Sequence, residues 1–143
     1  MQRKNLVWLF FLLIVLSACG NTTGLEEETE YESFRDTINA EEFTGFAYLL
    51  RNPDDAEANV QDIINEVFEE NNEEVYFLNL LEQEEEIRDL QNEDSKNPEI
   101  YFPSHKIVFI EQGSAIDEID VNRDEIQSSE TKNEISGFIQ TYQ

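Results

Sequence analysis

The chain has 143 residues, of which 33 are Asp or Glu and 9 are Lys or Arg, and its formal net charge is -24 at pH 7. A surface this acidic repels phosphate backbones, so nucleic acid is excluded as a partner. The sequence holds one cysteine and one histidine. That leaves no paired histidine or thiolate ligands, so we expect neither a dedicated metal site nor a cofactor, although the acidic surface can bind divalent cations loosely.

The first 18 residues, MQRKNLVWLFFLLIVLSA, have the layout of a secretory signal peptide. Arg3 and Lys4 give a short positive start, and an apolar run follows at residues 6–16. This run is too short for a membrane-spanning helix with stop-transfer flanks. Residues 1–18 are therefore predicted to be a signal peptide that is removed from the mature protein.

The lone cysteine, Cys19, ends the segment LSAC. At every position this segment resembles the lipobox of bacterial lipoproteins. The resemblance implies that the Cys19 thiol is alkylated with diacylglycerol and that the mature chain carries acyl chains such as palmitate. Two or more acyl chains anchor a protein stably, whereas one holds it only marginally. We expect an outward-facing protein of a bacterial, Gram-positive cell membrane with no free thiol; the alternative is a secreted protein with an incidental cysteine.

Residues 19–40 are polar and acidic, and they are predicted to form a flexible tether. Tyr31, Phe34 and Ile38 within it can dock onto the domain as a strand or as a short helix, and the sequence leaves both open. Residues 41–143 are predicted to form one domain, because their apolar residues come in blocks such as FTGFAYLL and VYFLNLL.

The first half of this domain predicts a parallel βαβ unit. GFAYLLR at residues 45–51 and VYFLNLL at 75–81 are short, nearly continuous apolar runs, typical of buried strands. Between them, residues 54–72 carry one apolar stripe at helical spacing. Asp54 or Asp55 is expected to cap this single helix.

The second half predicts a helix, a hairpin and a closing helix. A short acidic helix is centred on residues 87–90. KIVFIEQGSAIDEIDV at 106–121 is predicted to be a hairpin with its turn at 112–114 and a bulge in its second arm. The last helix is predicted to start near Thr131, which forms a capping box with Glu134.

This order of elements resembles the thioredoxin-like superfamily over about residues 44–142. The segment FAYLLRNPDDAEANVQDII is similar to the strand-Arg-Pro-x-Cys-x-x-Cys-helix segment of small extracytoplasmic members. Aligning Arg51 with the arginine of that motif places Asp54 and Glu57 at the two cysteine positions. The resemblance implies an α/β three-layer sandwich around a central mixed sheet. A carboxylate cannot exchange disulfides, so we expect no thiol-disulfide oxidoreductase activity.

The same family has a cis-proline that faces the cysteine motif, and Pro103 is the candidate for it, with Ser104 and His105 in the same loop. A cis X-Pro bond is a minority state. The resemblance implies a groove between this loop and the helix start, where an extended peptide can bind.

Three features suggest chemistry. Asp54 and Glu57 share a helix face as a paired-carboxylate site would, although helix capping explains them more simply. His105 can contact a ligand or lie exposed in its loop. The segment from Asp120 resembles a calcium loop but has Glu125 in place of glycine and a threonine as its last ligand, so we expect no calcium site there.

The function expected from these observations is that of a lipid-anchored, extracytoplasmic binding or scaffolding module without redox activity. Its partners would be the membrane, through the lipid, and an extracytoplasmic protein or peptide. Two alternatives stay open: a cell-wall-associated structural lipoprotein with an acidic surface, and an enzyme that uses Asp54, Glu57 or His105.

Overall fold

The computed structural model describes residues 23–121 and 123–143. The predictions for the signal peptide and for the lipid attachment at Cys19 lie outside these residues. The described part contains five strands and five α-helices. They are β1 (Gly24–Glu28), α1 (Tyr31–Ile38), β2 (Gly45–Leu50), α2 (Pro53–Glu57), α3 (Val60–Glu70), β3 (Glu74–Asn79), α4 (Glu85–Asp94), β4 (Lys106–Glu111), β5 (Ser114–Asp120) and α5 (Ser129–Thr141), with a 3-10 turn at Leu80–Glu82.

The strands form one mixed sheet in the order β1-β3-β2-β4-β5. β1, β3 and β2 are parallel, and β4 and β5 are antiparallel neighbours beyond β2. The predicted α/β class, the parallel βαβ unit and the hairpin are confirmed. None of the described helices combines the length and the apolar character needed to cross a bilayer.

The side chains of β2 alternate between two buried layers. Phe46, Tyr48 and Leu50 face one side, where α3 and α5 pack, and Ala47 and Leu49 face the other, with α1 and α4. Because both faces are covered, all five side chains are nearly inaccessible to water. Burial of each large side chain stabilises the fold by about 1.5–3 kcal/mol. The architecture is therefore a sheet between two helical layers.

The tether predicted over residues 19–40 is wrong from Gly24 onward, because β1 and α1 belong to the domain. β1 pairs with the outer edge of β3, and its Leu25 packs against the core. In α1, Tyr31, Phe34 and Ile38 are buried, which resolves the open alternative in favour of a helix. The glutamates of β1 concealed the strand, since an edge strand buries only part of its surface.

The helix predicted over residues 54–72 is broken in two. Asn52, not Asp54 or Asp55, caps α2: its side-chain Oδ1 accepts a hydrogen bond from the Asp54 amide at 3.0 Å. Asn59 has a φ of 55°, which ends the first helix and turns the chain into α3. Asparagine tolerates this left-handed conformation better than most residues.

Two other helices and the hairpin follow the prediction more closely. α4 is the expected short acidic helix. α5 begins at Ser129, earlier than predicted, and Ser128 caps it through its side chain in place of Thr131. The hairpin turns at Gln112 and Gly113, and a shift in strand register beside Phe109 confirms the bulge.

Candidate functional site

A cluster of polar side chains lies where β2 ends. Four residues form it. We call the cluster the β2-end site and define it as Arg51, Asp55, Ser104 and His105. In open α/β sheets, ligands bind beyond the carboxyl ends of the parallel strands. The position of the β2-end site therefore makes it the candidate functional site of this domain.

Backbone contacts attach the Pro103 loop to the end of β2. The Leu49 amide donates a hydrogen bond to the Pro103 carbonyl at 3.3 Å, and Leu49 pairs with Ser104 as a parallel bridge. The loop thus lies beside the strand end and the start of α2, as the resemblance implies. The cis-proline prediction is wrong, because no peptide bond in the described residues is cis and the bond preceding Pro103 is trans.

Asp55 and His105 form a contact between a buried carboxylate and an exposed imidazole. His105 Nδ1 lies 3.0 Å from Asp55 Oδ2; the Asp55 side chain is 8% exposed and that of His105 is 49% exposed. An ionised carboxylate has only acceptors, so Nδ1 carries the proton and donates. His105 also has a φ of 60°, a conformation uncommon outside glycine. The Pro103 loop is therefore held against α2 by a polar contact.

Tyr48 in β2 is buried, and its hydroxyl has no hydrogen-bond partner among the described residues. Burial raises the pKa of Tyr48, and the negative charge of Asp55 adds to that increase. An unsatisfied buried hydroxyl costs about 1–3 kcal/mol. The fold therefore does not use the hydrogen-bonding capacity of this phenol.

Arg51 and Ser104 form the outer part of the site. Arg51 Nη1 lies 3.4 Å from Ser104 Oγ, which is longer than the usual upper value of about 3.2 Å for an N–H···O hydrogen bond. Arg51 is half-buried and follows the last residue of β2 directly. This side chain is positioned by the strand rather than by a mobile loop.

The structure separates the residues that the sequence grouped as a carboxylate pair. Asp54 and Glu57 lie on α2, and both are exposed. Asp54 forms an ion pair with Arg123, and the carboxylate at His105 is that of Asp55. Asp55 was missed as a site residue because a carboxylate in a polar segment is predicted to be exposed to water. Only its pairing with a loop 50 positions later explains its burial.

The chemistry available at this site is hydrogen bonding and proton exchange. His105 oriented by Asp55 resembles the base half of an acid-base pair. Ser104 contacts Arg51 instead of His105, and no hydroxyl among the described residues hydrogen bonds to His105. The arrangement therefore favours binding over nucleophilic catalysis.

The described residues contain no group of three or more His, Cys, Asp or Glu placed to hold a metal ion. A cavity of about 330 Å³ at the start of α5 is lined by Glu125, Glu130 and Glu134 together with two hydroxyl residues. Its lining has one sign of charge and no ordered arrangement of ligands, so it adds no metal centre.

Comparisons of the chain with protein-family models, with curated proteins and with solved structures found no match.

Proposed function

We propose that this chain is a membrane-anchored, extracytoplasmic bacterial lipoprotein whose α/β domain is a redox-inactive binding module of the thioredoxin-like kind. Its ligand is an extended segment of an extracytoplasmic protein or peptide, bound at the β2-end site. The observation that carries the proposal is the contact between the Pro103 loop and the end of β2. That contact brings Arg51, Ser104 and His105 together at one edge of the sheet.

The topology supports the thioredoxin-like part of the proposal. The parallel βαβ unit, the antiparallel hairpin and the closing helix follow one another in the order that the resemblance implies. The loop before β4 meets the helix start after β2, which is where that family positions its ligand groove. From the order of these elements we propose that the domain belongs to the thioredoxin-like superfamily.

The proposed absence of thiol chemistry follows from the residues at the two positions that align with the cysteines of the motif. Asp54 and Glu57 occupy them, and neither carboxylate can form a mixed disulfide. Arg123 pairs with Asp54, so this position serves the fold of α2 and its neighbouring loop.

The lipid anchor is proposed from the LSAC segment. Because β1 begins at Gly24, the chain from Cys19 to the domain can span at most about 17 Å. The domain would then lie close to the bilayer, and its acidic surface would keep it from lying flat on anionic head groups.

Acid-base catalysis is a second candidate, and the Asp55–His105 contact is the observation that favours it. In this reading His105 exchanges a proton with a bound substrate while Asp55 orients the imidazole. The exposed half of the His105 ring makes such contact sterically feasible.

Site-directed photocross-linking tests the binding function. A benzoylphenylalanine replaces Ala56, the exposed neighbour of Asp55 on α2, in the acylated protein in its native membranes, and a second variant carries it at Gly137, an exposed position on α5. We expect a discrete cross-linked product from position 56 that position 137 does not give. If position 56 gives no product, or the same products as 137, the β2-end site is not a binding site and a structural role for the acidic surface is favoured.

A further inference from the structure

Arg51 lacks an acidic partner in a protein that is crowded with acids. All 33 acidic residues lie in the part of the chain that the structure describes, yet none of them forms an ion pair with Arg51. The one hydrogen bond of its side chain among the described residues joins it to the neutral Ser104 hydroxyl. A half-buried guanidinium usually meets a carboxylate in a bidentate pair. The donors of Arg51 are therefore not fully used by the fold.

The acids nearest to Arg51 along the chain are committed elsewhere. Asp54 pairs with Arg123, and Asp55 pairs with His105. Each of these contacts removes a carboxylate that the short segment after β2 would otherwise offer to Arg51. The local arrangement keeps the guanidinium unpaired although two acids follow it within four residues.

The other cations of the described residues do not share this situation. Arg35, Lys106 and Lys132 are partly buried, and each forms an ion pair with an acid. Arg88 and Lys96 form none, but both are exposed to water and need none. Arg51 thus combines partial burial with an unpaired charge.

We infer that Arg51 and Ser104 form a carboxylate-binding subsite, which takes a terminal or side-chain carboxylate of the ligand. The inference rests on the proposed function and names the chemical class of its ligand. The guanidinium donates two parallel hydrogen bonds to the carboxylate, and the Ser104 hydroxyl donates a third. The backbone bridge between Leu49 and Ser104 holds the two chain segments that carry these donors side by side.

Charge favours a carboxylate over a phosphate. The protein has a formal net charge of -24, so each added negative charge on the ligand increases repulsion. A carboxylate brings one charge and matches the planar fork of a single arginine. A phosphate brings nearly two and would have one guanidinium to offset them.

Calorimetric titration of the mature acylated protein in phosphatidylcholine nanodiscs tests the inference. The probes are N-acetyl tetra-alanine with a free carboxyl terminus and the same peptide as a carboxamide. We expect the acid to bind about ten-fold more tightly than the amide, the effect of one charge-assisted pair. Sodium acetate should compete with the acid peptide more strongly than inorganic phosphate does at equal concentration. Competition by acetate, which has no peptide part, identifies a free carboxylate as a sufficient ligand.

Substitutions assign the preference to Arg51. The variant R51Q should bind acid and amide equally weakly, and R51K, which keeps the charge but loses the fork, should retain part of the preference. The control R88Q removes a cation that is also unpaired but lies exposed on α4, and it should keep the full ratio. Because R51K retains the charge, its partial preference separates a lost contact from a misfolded variant.

Three results would overturn the carboxylate subsite: equal binding of acid and amide by the unsubstituted protein, no binding of either, or stronger competition by phosphate than by acetate. Equal binding, together with a cross-link at position 56, would leave the proposed binding function intact. If neither the cross-link nor binding of the peptides is observed, the proposed function is contradicted as well.

Discussion

The Tyr48 hydroxyl has no hydrogen-bond partner in the described residues, and this permits a test at a single atom. Removing it with Y48F abolishes a desolvated polar group while keeping the ring in the core. We expect the free energy of unfolding to rise by about 1 kcal/mol in urea denaturation. Y76F is the matched control, because the Tyr76 hydroxyl donates to Glu28 at 2.9 Å and its loss should lower stability by a similar amount. A clear loss of stability in Y48F would mean that this hydroxyl is bonded.

The site residues were only partly predictable from the sequence. Ser104 and His105 were identified through the neighbouring proline, because loops follow from local patterns. Arg51 served only to align the motif and was not predicted as a site residue. Asp55 could not be chosen over Asp54, since the two differ only in which tertiary partner each reaches. Such a choice depends on packing across 50 residues, which periodicity does not contain.

At the scale of elements, two glycines predict opposite effects of the same substitution. Gly113 in the hairpin turn has a φ of 71°, and an added Cβ would lie 2.6 Å from the Ala40 carbonyl oxygen. Gly137 lies in α5 with nothing within 4 Å of an added Cβ. We expect G113A to lower the free energy of unfolding by about 1–3 kcal/mol and G137A to raise it by about 0.5–1 kcal/mol. Thermal and urea unfolding measure both; equal effects would contradict the turn geometry.

Glu28 links β1 to α1 and to β3 through one carboxylate. Oε1 accepts from the Thr29 and Glu30 amides at 2.7 and 2.9 Å, and Oε2 accepts from Ser33 and Tyr76 at 2.8 and 2.9 Å. The hydrogen bond from the Glu30 amide is the largest cause that lowers the pKa of Glu28, and the other bonds add to it. The charged form is thus favoured by folding.

A lowered pKa in the folded state makes this stabilisation depend on pH. It is present above about pH 4.3, the ordinary value of a glutamate, and it is lost as the pH falls through the lower folded pKa. We expect E28Q to be about 1 kcal/mol less stable than the unsubstituted protein at pH 7, with the difference shrinking towards pH 3. The exposed neighbour gives the control E27Q, which should stay within about 0.5 kcal/mol at both pH values. A difference for E28Q that is constant with pH would contradict the assignment.

The buried strands were predicted from the sequence, and the exposed edge strand β1 was not. β2, β3 and β4 were identified from their buried apolar side chains, and the exposed β5 was identified from the turn that precedes it. β1 was missed because Gly24–Glu28 contains three glutamates and is held by pairing with β3 and by the bond from the Leu25 amide to Asn65. The break at Asn59 was missed because the apolar stripe begins only at Val60 and gives no signal before it.

At the scale of the whole molecule, acylation of Cys19 would have two consequences at once. It would anchor the domain at the outer face of the membrane, and it would consume the only sulfhydryl of the chain. The short connection to β1 would then hold the β2-end site within reach of other membrane-bound proteins. The proposed absence of thiol chemistry depends on this modification together with the carboxylates at positions 54 and 57.

Intact-mass spectrometry of the protein purified from membranes of a bacterium that lipidates its lipoproteins tests this claim most directly. The account predicts a chain that begins at Cys19, carries the added mass of a diacylglyceryl group and leaves no thiol to react with iodoacetamide. A mature chain that retains residues before Cys19, or one whose unmodified Cys19 reacts with iodoacetamide, would contradict it.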